Sequence, residues 1–217
     1  MAVNVERYKQ LLAELQEKGV ELVAVSKLKS VEDIQALYDL GQRDFAENYV
    51  QELEEKEAAL PADIRWHFIG HLQRNKVKYI IRFVHLIQGV DSLKLLEEIN
   101  KQAARCDRVV HCLLQVHIAQ EETKFGMDEA EIFAAMRMAP ELTHVQIDGL
   151  MGMASLTDDM DKVSAEFASL QELVKRFPVS GERTPILSMG MSSDYQVAIK
   201  EGSTMVRIGS LLFGARG

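Results

Sequence analysis

Lys27 is the first residue of this chain whose type and place suggest chemistry. It closes the run Glu21-Leu22-Val23-Ala24-Val25-Ser26-Lys27, in which residues 22–25 read as a buried strand, and a helical pattern starts near Val31. An amine at the carboxyl end of a buried strand is partly desolvated. That lowers its pKa and makes the neutral, nucleophilic form available for imine formation with an aldehyde or ketone. A lysine after a strand can also simply mark the return to solvent, which is the reading given to Lys29.

A second set of groups suits an anion. Ser192 and Ser193 precede Asp194 and a helical stretch, and Gly209-Ser210 follow the apolar run 205–208. Serine hydroxyls and backbone N–H groups at such places suit a phosphate dianion, and Gly209 lets the backbone approach a ligand closely. For Ser-Ser-Asp alone, capping of the next helix is the competing explanation. Arg207 sits inside Met205-Val206-Arg207-Ile208. An arginine in a strand is costly unless paired or bound. It stays protonated and cannot act as a base, but it can donate to a ring nitrogen or a carboxylate. A structural ion pair inside the fold is the alternative. A reactive lysine, a phosphate site and an arginine for a pyridine nitrogen are together the parts of a pyridoxal phosphate site.

These groups are far apart in sequence and need a scaffold. Apolar runs at 22–25, 44–47, 66–69, 86–90, 109–118, 145–151, 186–191 and 205–208 alternate with helix candidates at about 31–40, 49–59, 73–82, 92–104, 128–138, 159–176 and 194–201. Before them, Val5, Tyr8, Leu11, Leu12 and Leu15 fall at helical spacing until Gly19, and residues 211–214 suggest a short closing helix. Strands that alternate with helices imply a parallel sheet covered by helices. Eight such units predict a single-domain α/β fold over residues 1–217, a (β/α)8 TIM barrel with an extra N-terminal helix. An open doubly wound sheet would follow if the runs at 44–47 and 86–90 were not strands. In a barrel the site lies at the carboxyl ends of the strands, and the phosphate site commonly forms after strands seven and eight.

Composition narrows the function classes. Apolar residues make up 47% and charged residues 27% of the 217, which is ordinary globular composition. The net charge of -8 argues against nonspecific nucleic-acid binding as the main activity. No apolar run is long enough for a transmembrane helix, and the N-terminus lacks signal-peptide layout. Cys106 and Cys112 form neither a CxxC motif nor a disulfide framework, so a cytoplasmic setting is expected. His67 and His71 have zinc-pair spacing but straddle a strand end and Gly70, so no metal site is expected there. Met151, Met153, Met189 and Met191 are expected as core and pocket lining.

Several segments, in order along nearly the whole chain, carry a resemblance. They are Val23-Ala24-Val25-Ser26-Lys27, Ala46-Glu47-Asn48-Tyr49-Val50-Gln51-Glu52, residues 66–76 (WHFIGHLQRNK), Gly149-Leu150-Met151, residues 188–194 (SMGMSSD) and residues 202–210 (GSTMVRIGS) followed by 213–216 (FGAR). The chain resembles the pyridoxal phosphate homeostasis proteins, whose fold is similar to the barrel domain of alanine racemase. The resemblance implies that Lys27 carries pyridoxal 5'-phosphate as a Schiff base. It implies that Ser192, Gly209 and Ser210 hold the phosphate, that Arg207 faces the pyridine nitrogen, and that Asn48 lies beside the cofactor. Ser193 carries over less well, and Ala46 stands where the family usually has glycine. Lys124 matches a family segment but is placed outside the core site.

A fixed positive charge at the pyridine nitrogen disfavours its protonation, which weakens the ring as an electron sink. Racemisation also needs a second base on the opposite face, and the barrel takes up all 217 residues. The expectation is a monomeric, non-catalytic protein of vitamin B6 homeostasis that stores, buffers or delivers the cofactor, with cofactor-dependent apoenzymes as partners. The alternative is a pyridoxal phosphate-dependent amino-acid racemase; a third reading, an aldolase-type enzyme using Lys27 on a ketose phosphate, would bind no chromophore.

Overall fold

The structure is a computed structural model that describes residues 3–119, 125–176 and 184–214. Eight parallel strands close into a barrel in chain order. They are β1 (Glu21–Val25), β2 (Asp44–Glu47), β3 (Arg65–Phe68), β4 (Leu86–Val90), β5 (Val110–Val116), β6 (Val145–Gly152), β7 (Ile186–Ser188) and β8 (Met205–Ile208). Closure rests on β1, which pairs with β2 on one side and β8 on the other. The open doubly wound sheet is therefore excluded. The two short runs that would have had to fail, β2 and β4, are both strands.

The helices form the outer layer: α1 (Val5–Glu17), α2 (Val31–Asp39), α3 (Val50–Ala59), α4 (Val77–Ile80), α5 (Leu93–Ala104), α6 (Glu129–Met138), α7 (Met160–Lys175), α8 (Tyr195–Lys200) and α9 (Ser210–Phe213). Their starts are legible because side chains close the first turns. Asn4, Ser30, Ser92, Asp128 and Asp159 each accept from a backbone N–H three residues on. At α6 the Glu131 carboxylate returns a bond to the Asp128 N–H. Each such cap contributes about 1 kcal/mol. The extra helix α1 buries Tyr8, Leu11 and Leu15. It ties the two ends of the chain together through the bond from Asn4 N–H to the Leu212 carbonyl in α9.

Three expected elements change form. The stretch 73–82 breaks into a 3-10 turn at Arg74–Lys76 and the single turn of α4. The strand expected at 186–191 is regular only to Ser188; Met189 N–H still bonds the Met205 carbonyl and the Gly190 carbonyl still accepts from Arg207 N–H, but Gly190 adopts a φ of +97°, which breaks the extended run. The strand expected at 109–118 narrows to β5.

Apolar packing lies mainly between strands and helices. Inside the barrel only a small apolar layer forms, from Val23, Ala46, Leu86, Leu113, Met151 and Met205. Buried polar side chains stand beside it, among them His67, Gln88, Ser188 and Arg207. A barrel interior is normally filled by branched apolar side chains. The substitution of a polar set on β3, β4, β7 and β8 is the main departure of this fold from that pattern.

Candidate functional site

A cavity of about 420 Å³ opens at the carboxyl-terminal mouth of the barrel. That volume is in the range of small-molecule and cofactor sites, roughly 300–1,000 Å³. Lys27, Asn48, Ser192, Arg207, Gly209 and Ser210 all line it. The structure thus brings together all six predicted site residues, which come from the ends of four strands. Ser193 and Lys29 also face it, with Val25, Ile69, Met153, Met191 and Leu211 as its apolar wall. Met151 and Met189 are buried in the core.

The turn after β1 sets the place of Lys27. Ser26 N–H still bonds the Ala46 carbonyl, so the strand register carries one residue past its end. Leu28 then adopts a φ of +60°, unusual for a branched residue. Its N–H donates to the Glu52 carboxylate at 2.5 Å, which holds the turn. Lys27 is thereby kept, half-buried, at the barrel mouth. Lys29 is committed elsewhere and donates to the Phe213 carbonyl at 3.2 Å.

An ionic cluster gathers around Ser26, the residue before Lys27. Lys56 Nζ donates to Glu47 at 2.7 Å, to Glu52 at 2.6 Å and to the Ser26 carbonyl at 2.8 Å, while the Ser26 hydroxyl donates to Glu47 at 2.6 Å. Glu47 and Lys56 are almost wholly buried. Burial pushes the Glu47 carboxyl up to about 7, against the pull of the Lys56 ammonium and the Ser26 hydroxyl. Glu47 was legible as a strand-end residue, and Glu52–Lys56 has helical i,i+4 spacing. Their convergence on Ser26 depends on the packing of α3 against the barrel.

Arg207 is buried, and its charge has no ion pair among the described residues. It donates to Ser188 Oγ at 2.6 Å and to the Gly152 carbonyl at 3.0 Å. Burial pulls the guanidinium down to about 10, partly offset by the Asp194 carboxylate, so it remains a cation at neutral pH. The structural ion pair considered from sequence is absent from this set. The Ser-Ser-Asp segment does not act as a cap: α8 has no side-chain cap at Asp194, whose carboxylate takes the Met191 N–H at 2.6 Å. Ser192 Oγ instead accepts from Gly209 N–H at 3.3 Å, which joins the loops after β7 and β8.

Two positioning glycines were not singled out by sequence. A Cβ on Gly70 would stand 2.3 Å from the Asn48 carbonyl oxygen, and one on Gly89 would stand 2.5 Å from the Gly70 carbonyl oxygen. Both glycines let β2, β3 and β4 close around Asn48. The Asn48 Oδ1 atom is buried with no hydrogen-bond partner. A buried acceptor left unmatched costs roughly 1–3 kcal/mol, which a ligand donor would recover.

His67 and His71 do not meet. His71 bonds Asp91 at 2.6 Å and stacks on Phe125 with ring centroids 4.0 Å apart, whereas His67 faces Asp44 and Gln88. Cys112 is buried and burial raises its pKa strongly, as expected for an inert thiol. Lys124 lies outside the described residues. No helix among those described is long and apolar enough to cross a membrane.

The closed eight-stranded parallel barrel is of the alanine-racemase class. The family of alanine racemase N-terminal domains matches residues 1–217. The chain belongs to the pyridoxal phosphate homeostasis proteins of that class. It is 40% identical to the pyridoxal phosphate homeostasis protein of Aquifex aeolicus over 92% of this chain and 89% of that one. The human protein of the same name is 36% identical over 99% of this chain and 84% of its own. PipY of Synechococcus elongatus, solved with pyridoxal phosphate bound, superposes with a TM-score of 0.86 at 38% identity, covering 96% of this chain and 99% of PipY. Alanine racemase from Bartonella henselae shares the fold at a TM-score of 0.74 and 15% identity, covering 96% of this chain but 59% of the racemase.

Proposed function

We propose that this protein binds pyridoxal 5'-phosphate through a Schiff base on Lys27 and serves to store, buffer or deliver it, without a committed reaction. The observation that carries this is the convergence of Lys27, Asn48, Ser192, Arg207, Gly209 and Ser210 on one cavity of cofactor size. The residues fit the group: an amine for the aldehyde, hydroxyls and backbone N–H groups between β7 and β8 for the phosphate, and an orphaned Asn48 acceptor for a ring hydroxyl. When bound, the cofactor supplies an aldehyde that exchanges between amines.

The wall explains why turnover is not expected. Among the described residues it carries no tyrosine, histidine, cysteine or carboxylate, and Lys29 is held on the Phe213 carbonyl. A second base on the opposite face, which racemisation requires, has no candidate there. Arg207 stays charged and opposes protonation of a pyridine nitrogen placed before it. We further read the protein as cytoplasmic and as a monomer that hands the cofactor to apoenzymes.

Borohydride reduction followed by peptide mass spectrometry tests the assignment. A pyridoxyl phosphate adduct on Lys27, absent in Lys27→Ala, is expected. An unmodified Lys27 in cofactor-saturated protein would overturn the Schiff-base assignment. Loss of optical activity from single amino acids, abolished by Lys27→Ala, would instead establish the racemase.

A further inference from the structure

The opposite mouth of the barrel holds titratable groups that the cofactor site does not use. Asp44 opens β2, His67 lies on β3, and His85 immediately precedes β4. One ligand atom from each lies within 4.8 Å of the others. His67 Nε2 and Asp44 Oδ1 are 3.1 Å apart. Two ligands of a tetrahedral zinc at about 2.0–2.1 Å stand roughly 3.3 Å from each other, so this pair is already close to coordinating distance. His67 is buried and fixed, whereas His85 is exposed and lies with its ring centroid 5.6 Å from that of His67. Two imidazoles and one carboxylate, with the fourth position open to solvent, suit a borderline ion rather than magnesium or calcium.

His67 also heads a chain through the barrel interior. Its Nδ1 accepts from Gln88 Nε2 at 2.9 Å, so its proton is on Nε2 and points at Asp44. Gln88 Oε1 accepts from Ser188 Oγ at 2.7 Å, and Ser188 Oγ accepts from Arg207 at 2.6 Å. Every donor in the chain points from the cofactor cavity towards Asp44.

We propose that Asp44, His67 and His85 form a site for a divalent transition-metal ion of the zinc class, and that its occupancy is felt at Arg207. A metal on His67 Nε2 leaves the ring's one proton on Nδ1. Gln88 must then turn its amide and accept with Oε1, as ligands' outer partners do. Its amide nitrogen then donates to Ser188 Oγ, and the Ser188 hydroxyl, which has lost Gln88 Oε1 as its acceptor, must turn its proton elsewhere, which disturbs the lone pair that Arg207 uses. Arg207, loosened from Ser188, can turn its guanidinium further towards the cavity, and cofactor binding tightens. Arg65, which also bonds Asp44, has to yield one carboxylate oxygen; its side chain is half exposed and can do so.

The metal half is tested on cofactor-free full-length protein, stripped with chelator and titrated with Zn²⁺ by calorimetry. One equivalent should bind, and His85→Ala, an exposed change that leaves the fold intact, should weaken it about tenfold or more. Cys106→Ser should leave it unchanged. No uptake, or full affinity in His85→Ala, overturns the site. The coupling half rests on the pyridoxal phosphate reading and is measured by absorbance titration of the cofactor. Zinc should tighten its binding about fivefold in the wild type and not in Gln88→Met. Unchanged or weaker cofactor binding with zinc overturns the coupling. Absence of any cofactor binding would sink the cofactor reading, while the zinc titration would still decide the metal site by itself.

Discussion

The two mouths of this barrel differ in their polar side chains and in how those groups are matched. At the carboxyl-terminal mouth, Lys27, Asn48, Ser192 and Arg207 surround an open cavity, and the Asn48 Oδ1 atom is buried without a partner. At the amino-terminal mouth the charged groups are matched to each other: Asp44 with Arg65 and His67, and His111 with Asp148 at 2.5 Å. Those bonds outweigh burial and hold the Asp44 carboxyl down to about 2. A buried acceptor without a partner, such as Asn48 Oδ1, can take a ligand donor at no cost in existing bonds, whereas Asp44 and His67 must give up bonds to take an ion. Arginine occurs at both ends in different settings: Arg207 bonds neutral oxygens, whereas Arg65 bonds a carboxylate.

The comparison breaks most sharply at Gly70. An alanine there would press its Cβ against the Asn48 backbone, which cannot rotate away as a side chain would. We expect Gly70→Ala to cost about 3–5 kcal/mol in urea unfolding and to weaken cofactor binding by displacing Asn48. A loss below about 1 kcal/mol would show that the carboxyl-terminal mouth is softer than its packing implies.

Glu47 sharpens the contrast by pH. Its carboxyl is raised from an ordinary 4.5 to about 7, so the folded protein binds a proton there more readily than the unfolded chain. The associated stability is fully present below 4.5 and is lost as pH rises through about 7. At about 1.4 kcal/mol per tenfold change in proton affinity, the upper bound is about 3 kcal/mol. Glu47→Gln cannot titrate. The stability of wild type relative to this variant should therefore fall between pH 5 and pH 8 in urea titrations. Parallel curves would mean that Lys56 keeps Glu47 ionised throughout.

Ser192 is expected to matter for the ligand and little for the fold. Its bond to the Gly209 N–H is long, at 3.3 Å, so Ser192→Ala should change stability by less than about 1 kcal/mol. Cofactor affinity, followed by visible absorbance, should fall about tenfold through loss of a charge-assisted bond to phosphate. Equal small effects in both measurements would remove Ser192 from the phosphate site.

The barrel was legible because strands buried on both faces read as apolar runs, and because side-chain caps mark five helix starts. Once the order is a closed ring, the carboxyl ends of β1, β2, β7 and β8 and the residues that follow them share one mouth, which is why Lys27, Asn48, Ser192 and Arg207 could be assigned together. The amino-terminal cluster was not legible. Asp44, His67 and His85 have no motif spacing; they meet because Asp44 pairs in register with Arg65 and Ala46 with His67 on adjacent strands. The same holds for Gln88 and Ser188, 100 residues apart, which touch only across the barrel interior.

The smallest effect is expected where the amino-terminal mouth meets solvent. Arg65 is half exposed and bonds Asp44 through Nε at 2.7 Å. Exposed ion pairs of this kind contribute about 0–1 kcal/mol, so Arg65→Gln in chelator-treated protein should shift unfolding by no more than that. His67 stays in place through Gln88 and keeps Asp44 as its acceptor. The variant also removes the cation that competes for Asp44, so zinc should bind it at least as tightly as the wild type. A stable variant with tighter zinc binding would mark this mouth as a site held closed by its own arginine. A variant that loses several kcal/mol would mark it as structure alone.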